Sequence, residues 1–399
     1  MTYPKPRLAV LITHPVQYFK PVLTGLAADP ALELRVFFGC NHGSSPSVDP
    51  DFGVAFAWDS APTEGYPHSF ISEHPLAALS HPASALRLAR QASRLIQDWR
   101  PDAVLVFSYS PLFITAATLL LARQRQRLWL RAETTDQALE RPAWKERLRS
   151  AALRRYYRRF DHVFPIGRHS EAHYQRLGVG PQRRTTARYA VDQDFFAQQV
   201  DHWRPRREAL RAELGIPPGA PVLLFVGKIS PVKDPLLIAA GLEVLRRDPA
   251  TAPLWHSLHL VVVGDGLLRP ALEEALSTAL PGRHHAMGFQ NQQQLGRFYA
   301  LADLLLLPSL QGETWGLVVN EALQFGCGVI CSDRVGSAAD LVAERPWGRV
   351  HRAGDAESLA TAIASLAATP AKDRQPPPAE QLPHPQDLVR AIQEKLRRL

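Results

Sequence analysis

Both halves of this 399-residue chain alternate short, continuous apolar runs with longer amphipathic stretches. Such runs suit strands covered on both faces, and the stretches between them are long enough for crossover helices. The pattern therefore predicts β-α-β units and parallel sheets, and it excludes all-β and all-helical classes. Strands are expected at residues 8–13, 34–38, 103–107, 128–131 and 162–166 in the first half, and at 222–226, 258–263, 304–307 and 328–331 in the second. The chain is longer than one core usually serves. A boundary falls between Val191-Asp-Gln-Asp-Phe-Phe196 and Ile216-Pro-Pro-Gly-Ala-Pro221, which gives units at 1–200 and 201–370. The Pro- and Gln-rich stretch 369–385 predicts an irregular connector, and a last helix follows over 386–399; the closing segment is 371–399.

An apolar content of 46% with 21% charged residues excludes wholesale disorder. Cys40, Cys327 and Cys331 are odd in number and lie in or beside apolar runs, so they read as reduced core thiols rather than a disulfide or metal set. The apolar run near the N-terminus is too short for a secretion signal, and the one at 112–122 ends at Arg123, short of the ~20 residues that span a bilayer. A cytoplasmic location is expected. The net charge of +8 sits in the first half, with 25 Lys and Arg against 17 Asp and Glu over 1–200 and 21 against 21 over 201–399. Much of it lies in 145–160, where Leu148, Ala152, Tyr156 and Phe160 recur every four residues and predict one buried helix face with the arginines outside. That basic face is either solvated or drawn to an anionic membrane surface or acceptor, which makes peripheral contact at the inner face of a membrane a partner expectation.

Chemistry concentrates in the second half. Val222-Leu-Leu-Phe-Val-Gly-Lys-Ile-Ser-Pro-Val-Lys-Asp-Pro235 is a strand that ends at Gly227 and a turn with two ammonium groups, Lys228 and Lys233, placed for an anion at the strand's carboxyl end. Gly264-Asp-Gly266 follows another strand but lacks the third glycine of a dinucleotide fingerprint. After a further apolar run, Gly312-Glu-Thr-Trp-Gly-Leu-Val-Val-Asn-Glu-Ala-Leu-Gln-Phe-Gly326 holds two carboxylates, Glu313 and Glu321. If all of 313–321 were helical they would stand about 12 Å apart along the axis, near the separation of ribose and sugar in a sugar nucleotide, with helix amides facing the diphosphate between them. Asp49-Pro-Asp51 and Asp192-Gln-Asp194 do not follow apolar strands as metal-binding pairs do, and no metal site is expected.

Taken in order, Phe-Val-Gly-Lys-Ile-Ser-Pro-Val-Lys, Val-Val-Val-Gly-Asp-Gly, Ala-Asp-Leu-Leu-Leu-Leu-Pro-Ser, Glu-Thr-Trp-Gly-Leu-Val-Val-Asn-Glu-Ala-Leu and Gly-Val-Ile-Cys-Ser-Asp-Arg-Val-Gly resemble the donor domain of retaining glycosyltransferases of family 4 over residues 222–336. The resemblance implies the GT-B architecture: two Rossmann-like domains facing across a cleft, the second holding the sugar nucleotide, and a last helix crossing back to the first. It implies that Lys228 and Lys233, beside Gly227, neutralise the donor diphosphate; Lys228 stands where the family most often has Arg. Glu313 would contact the donor sugar, the amides of Trp315, Gly316 and Leu317 the phosphate and sugar, Glu321 the ribose, and Gly288-Phe289 the base. Thr13-His-Pro-Val-Gln-Tyr18, Asp51-Phe-Gly53, Trp58-Asp59 and Glu64-Gly-Tyr66 resemble a bacterial branch associated with surface-polysaccharide assembly. His14 and Gln17 stand in place of the family's glycine-rich first loop, so His14 either meets substrate across the cleft or caps the loop. In Arg131-Ala-Glu133, where many relatives have a His-Asp pair, Glu133 is a catalytic-side candidate or the partner of Arg131.

The expected activity is retaining, metal-independent transfer of a sugar from a nucleotide diphosphate sugar to an acceptor hydroxyl on a saccharide or lipid-linked molecule, without a further cofactor. Two rivals remain at this stage. One is a sugar-nucleotide 2-epimerase of the same architecture, against which the motif order speaks. The other is a silent sugar-nucleotide or nucleic-acid binding module; the pI near 9.6 suggests the latter, and the lack of a nucleic-acid motif opposes it.

Overall fold

Arg7-Leu-Ala-Val-Leu-Ile12 is apolar at every position after the first, and in a computed structural model it forms the strand β1 (Arg7–Ile12), buried from both sides at the centre of a sheet. The structure describes residues 5–43, 47–48, 55–56, 62–73, 75–137, 139–370, 372–373 and 376–399. Asp49-Pro-Asp51, Asp51-Phe-Gly53 and Trp58-Asp59 lie outside them. Strand β2 (Glu33–Phe38) pairs with β1 on one side, and a two-residue antiparallel pair, β3 (Ser47–Val48) and β4 (Ala55–Phe56), follows it. With β5 (His68–Phe70), β6 (Ala103–Phe107), β7 (Leu128–Arg131) and β8 (His162–Val163), the first sheet runs β5-β2-β1-β6-β7-β8, every neighbour parallel.

The second half repeats the plan. Strand β9 (Val222–Val226) lies at the centre, and β10 (His259–Val263), β11 (His284–Ala286), β12 (Leu304–Leu307), β13 (Gly328–Ser332) and β14 (Gly348–His351) complete the order β11-β10-β9-β12-β13-β14, again all parallel. Each sheet thus reverses its winding beside its first strand, between β1 and β6 and between β9 and β12. Loops leaving the carboxyl ends of strands at such a reversal diverge and leave a crevice for ligands.

All nine strands expected from apolar runs are present. The five others had no apolar run to announce them. β3 and β4 have two residues each, and β5, β11 and β14 are sheet edges, paired on one side only, with polar sequences such as His-His-Ala and Gly-Arg-Val-His. The basic helix forms at Ala143–Tyr157, but its buried side is a correction. Leu148 is 65% exposed and Ala152 is also exposed, while Ser150, Leu153, Tyr156 and Tyr157 are buried. The reason is polar: Ser150 donates to Glu146 at 2.9 Å and accepts from Arg176 at 2.9 Å, and Arg176 is held by Asp136. A satisfied hydroxyl can therefore take the inner face that periodicity gave to Leu148.

The core drawn around the second sheet also takes in Ile166, Tyr189, Val191 and Phe196. The last helix, Pro385–Leu396, does the converse. It buries Leu388, Val389, Ile392 and Leu396 against Leu8, Val10, Val22 and Leu23 of the first half, and Gln393 donates to Asp29 at 2.7 Å. Among the described residues no helix is long and apolar enough to cross a membrane. Because Ile392 has no exposed surface in that cluster, Ile392→Ala is expected to cost about 2–5 kcal/mol through a residual cavity. Denaturant unfolding followed by intrinsic fluorescence checks this; an unchanged first-half transition would contradict the crossing helix as a structural strap.

Candidate active site

The carboxyl ends of β1, β6 and β7 and the turn after β12 enclose a cleft of about 770 Å³, lined from both halves. His14, Glu133, Lys233, Glu313, Trp315, Gly316 and Leu317 all line it. Seven of the residues singled out in the sequence, separated by up to 303 positions (317 − 14), thus share one space. Gly227 lies beside it, since a Cβ built there would stand 4.0 Å from the Lys233 Cε. Lys228 and Phe289 sit on the loops after β9 and β11 and are not among the lining residues, and neither is Glu321.

The wall from the second half is assembled by loop contacts. Leu310 donates its amide to the Val232 carbonyl at 2.9 Å, which ties the lysine turn to the glutamate turn. Across that tie Lys233 Nζ pairs with Glu313 Oε2, and the Ser309 hydroxyl donates to the same oxygen at 3.1 Å. Glu313 lies ahead of the helix Leu317–Gln324, which Gly316 caps in the left-handed region at φ 87°. The condition for an axial spacing of about 12 Å, one helix through 313–321, is therefore not met: only the last part is helical. Residues 313–315 instead run against a second loop, with Gly336 donating to the Glu313 carbonyl at 3.0 Å and Ser337 to the Trp315 carbonyl at 3.0 Å. The two chains approach so closely that a Cβ at residue 336 would fall 1.8 Å from the Thr314 oxygen.

Glu321 is on the helix's inner side, 1% exposed. Its Oε2 accepts from the Tyr299 hydroxyl at 2.6 Å, whereas its Oε1 is buried without a partner among the described residues. Burial raises its carboxyl to about 7, against which the Tyr299 bond acts. A buried carboxylate oxygen without a donor is unfavourable, so the site is one that a hydroxyl could complete.

The facing wall turns on Glu133. Tyr189 donates its hydroxyl to Glu133 Oε1 at 2.9 Å. Burial pushes the Glu133 carboxyl up; the Tyr189 bond and the Arg131 charge pull it down, Glu313 across the cleft pushes it up again, and the Thr314 hydroxyl pulls it down. Arg131 makes no direct ion pair with Glu133. Its guanidinium donates to the carbonyls of Phe164, Pro165 and Ala187 at 3.3, 3.2 and 2.5 Å and lies 5.5 Å from the Tyr189 ring centre. The His14 imidazole bonds the Thr13 hydroxyl at 2.9 Å; burial, then His42 with its ring 5.5 Å away, lowers it to about 4, so it is neutral near pH 7. Tyr189, Ser108 and Ser110 also line the cleft and carried no motif signal, and Thr314, inside the Glu-Thr-Trp motif, was not singled out. Asp192 is a helix cap, accepting from the Phe195 amide at 3.1 Å, and no described group of three His, Cys, Asp or Glu residues is placed to hold a metal.

Folded in this way, the chain has the GT-B architecture. It superposes on an Anabaena protein, HepE, in complex with UDP and glucose, with a TM-score of 0.68 at 15% identity, covering 99% of this chain and all of that one. It likewise superposes on sucrose-phosphate synthase from Thermosynechococcus elongatus, with a TM-score of 0.70 at 18% identity and 98% of each chain covered. Residues 206–378 match the family model of glycosyl transferases group 1, and residues 16–190 match the glycosyl transferase 4-like domain. The chain thus has the GT-B fold, with a glycosyltransferase family domain matched in each half. A D-inositol 3-phosphate glycosyltransferase of Nocardia farcinica is 34% identical over 197 residues, 46% of this chain and 42% of that protein; the chain spans less than half the length of the curated relatives it matches.

The Glu321 environment gives a pH test. A carboxyl raised in the folded state stabilises least where it must ionise, so its contribution is full below the unfolded value and falls as pH rises toward 7. Glu321→Gln removes that ionisation. The variant is expected to gain stability over the parent between pH 5 and 8, by up to about 3 kcal/mol. Thermal unfolding at both pH values checks this, and a constant difference would contradict the buried carboxyl.

Proposed function

We propose that the protein transfers a sugar from a nucleotide diphosphate sugar to an acceptor hydroxyl with retention at the anomeric carbon. The observation that carries this reading is the Lys233–Glu313 pair at the mouth of a helix start, facing Glu133 across the cleft. A cation already held by a carboxylate can exchange that partner for a diphosphate, which frees Glu313 to accept hydrogen bonds from the sugar's hydroxyls. The helix start at Trp315–Leu317 adds its positive end to Lys233 and stabilises charge developing on the departing diphosphate. Lys228, on the turn that also carries Lys233, supplies a second positive charge toward the nucleotide, and Phe289 stands by the base. Glu321 Oε1 takes a ribose hydroxyl, which satisfies the buried oxygen.

In this scheme no side chain forms a covalent intermediate, and the acceptor attacks from the face the diphosphate leaves. The anomeric carbon–oxygen bond to the diphosphate breaks as the bond to the acceptor oxygen forms. The hydroxyl proton passes to the leaving diphosphate oxygen. Charge neutralisation by lysines and helix amides makes a metal unnecessary in this scheme. The names of structural neighbours, bound to UDP and glucose in one case, support a sugar-nucleotide donor. The surface-polysaccharide association belongs to this proposal, as does peripheral contact with an anionic membrane. Exposed Trp144 and Leu148, beside Lys145 and Arg147, suit that contact.

Two measurements test the assignment. A thermal-shift screen over UDP-, GDP- and ADP-sugars is expected to show stabilisation by at least one of them, because a ligand that binds only the folded state must raise its stability. With that donor, Lys233→Ala and Glu313→Ala are each expected to lower kcat by about 10²–10³, the effect of removing one transition-state partner. Unchanged turnover in both variants would sink the assignment.

A further inference from the structure

Among the described residues, the cleft wall contributed by the first half carries hydroxyls, one imidazole, apolar side chains, the Glu133 carboxylate and one guanidinium. His14, Ser80, Ser108 and Ser110 line it beside Leu76 and Phe107. Arg131 supplies the one guanidinium among the described lining residues, and it is turned into the protein, onto the carbonyls of Phe164, Pro165 and Ala187. On the opposite wall Lys233 is held by Glu313. The formal charges of the lining cancel, Arg131 and Lys233 against Glu133 and Glu313. Once a diphosphate takes Lys233, the balance facing an acceptor is negative.

We propose that the acceptor is an uncharged saccharide or polyol, held by hydrogen bonds between its hydroxyls and Ser80, Ser108, Ser110 and His14, with its C–H face against Leu76 and Phe107. This rests on the sugar-transfer reading and narrows its acceptor. A phosphate ester next to the reacting hydroxyl would meet Glu133 and, among the described lining residues, no available cation on its own side. Such placement selects by repulsion as well as by attraction. Serine hydroxyls and a neutral imidazole both donate and accept, which matches the mixed demand of sugar hydroxyls. The curated relatives are named for inositol 3-phosphate, a charged acceptor, so the inference separates this cleft from theirs.

The test uses the full chain, the sugar nucleotide that stabilises it, and acceptors in matched pairs: methyl glycosides with their 6-phosphates, and myo-inositol with its 3-phosphate. Transfer of labelled sugar to the neutral member of at least one pair is expected, with kcat/KM at least about tenfold above its phosphate ester. Equal or faster transfer to the esters overturns the neutral acceptor and leaves sugar transfer standing. Donor hydrolysis with transfer to no member of any pair overturns it as well. If no sugar nucleotide stabilises the protein or is consumed by it, the sugar-transfer reading fails and the acceptor inference falls with it.

Discussion

Trp315 donates its indole N–H to Asn320 at 2.8 Å, and Asn320 donates to the Tyr189 carbonyl at 3.2 Å. Through these two buried bonds the turn that carries Glu313 is fixed to the segment whose side chain holds Glu133. The Trp315 ring lies against Gly167, where a Cβ would fall 2.3 Å from it, so only a residue without a side chain lets the indole seat there. Nearby, the Arg168 amide donates to Asp340 at 2.9 Å. The bonds from Asn320 to Tyr189 and from Arg168 to Asp340 cross between the halves, and losing one partner would leave its mate unsatisfied. The seam sets the cleft's width, and the width decides which groups face each other.

Two parallel sheets with the same strand order would each offer a crevice at the winding reversal beside the first strand. Here the crevices are turned toward one another, so loops after β1, β6 and β7 face loops after β9 and β12. The helix Pro385–Leu396 returns the chain to the first half and packs on the helix Lys20–Ala27, just behind His14 and Tyr18.

Much of this was legible in the sequence, and the failures share a cause. Central strands announce themselves because both faces are buried, so Val222–Val226 and Leu304–Leu307 read directly. Edge strands such as His284–Ala286 have one neighbour and need no apolar run. Leu148 and Ser150 exchanged faces because a network of Asp136, Glu146 and Arg176 rewards a buried hydroxyl, which hydrophobic periodicity does not register. In the site, local motifs found Lys233, Glu313 and the helix start at Trp315. They did not find Tyr189, which has no motif around it and matters only because folding brings it to Glu133. Nor did they show that Lys233 and Glu313 would pair with each other.

The central claim of the proposal is that Lys233 and Glu313 together hold the donor. The most direct measurement is a crystal structure with the stabilising sugar nucleotide bound. The account predicts diphosphate between Lys233 Nζ and the helix start at Trp315–Leu317, Glu313 turned to the sugar's hydroxyls, and a ribose hydroxyl on Glu321 Oε1. A nucleotide seated elsewhere, with Lys233 still on Glu313 and Glu321 still lacking a donor, would contradict it.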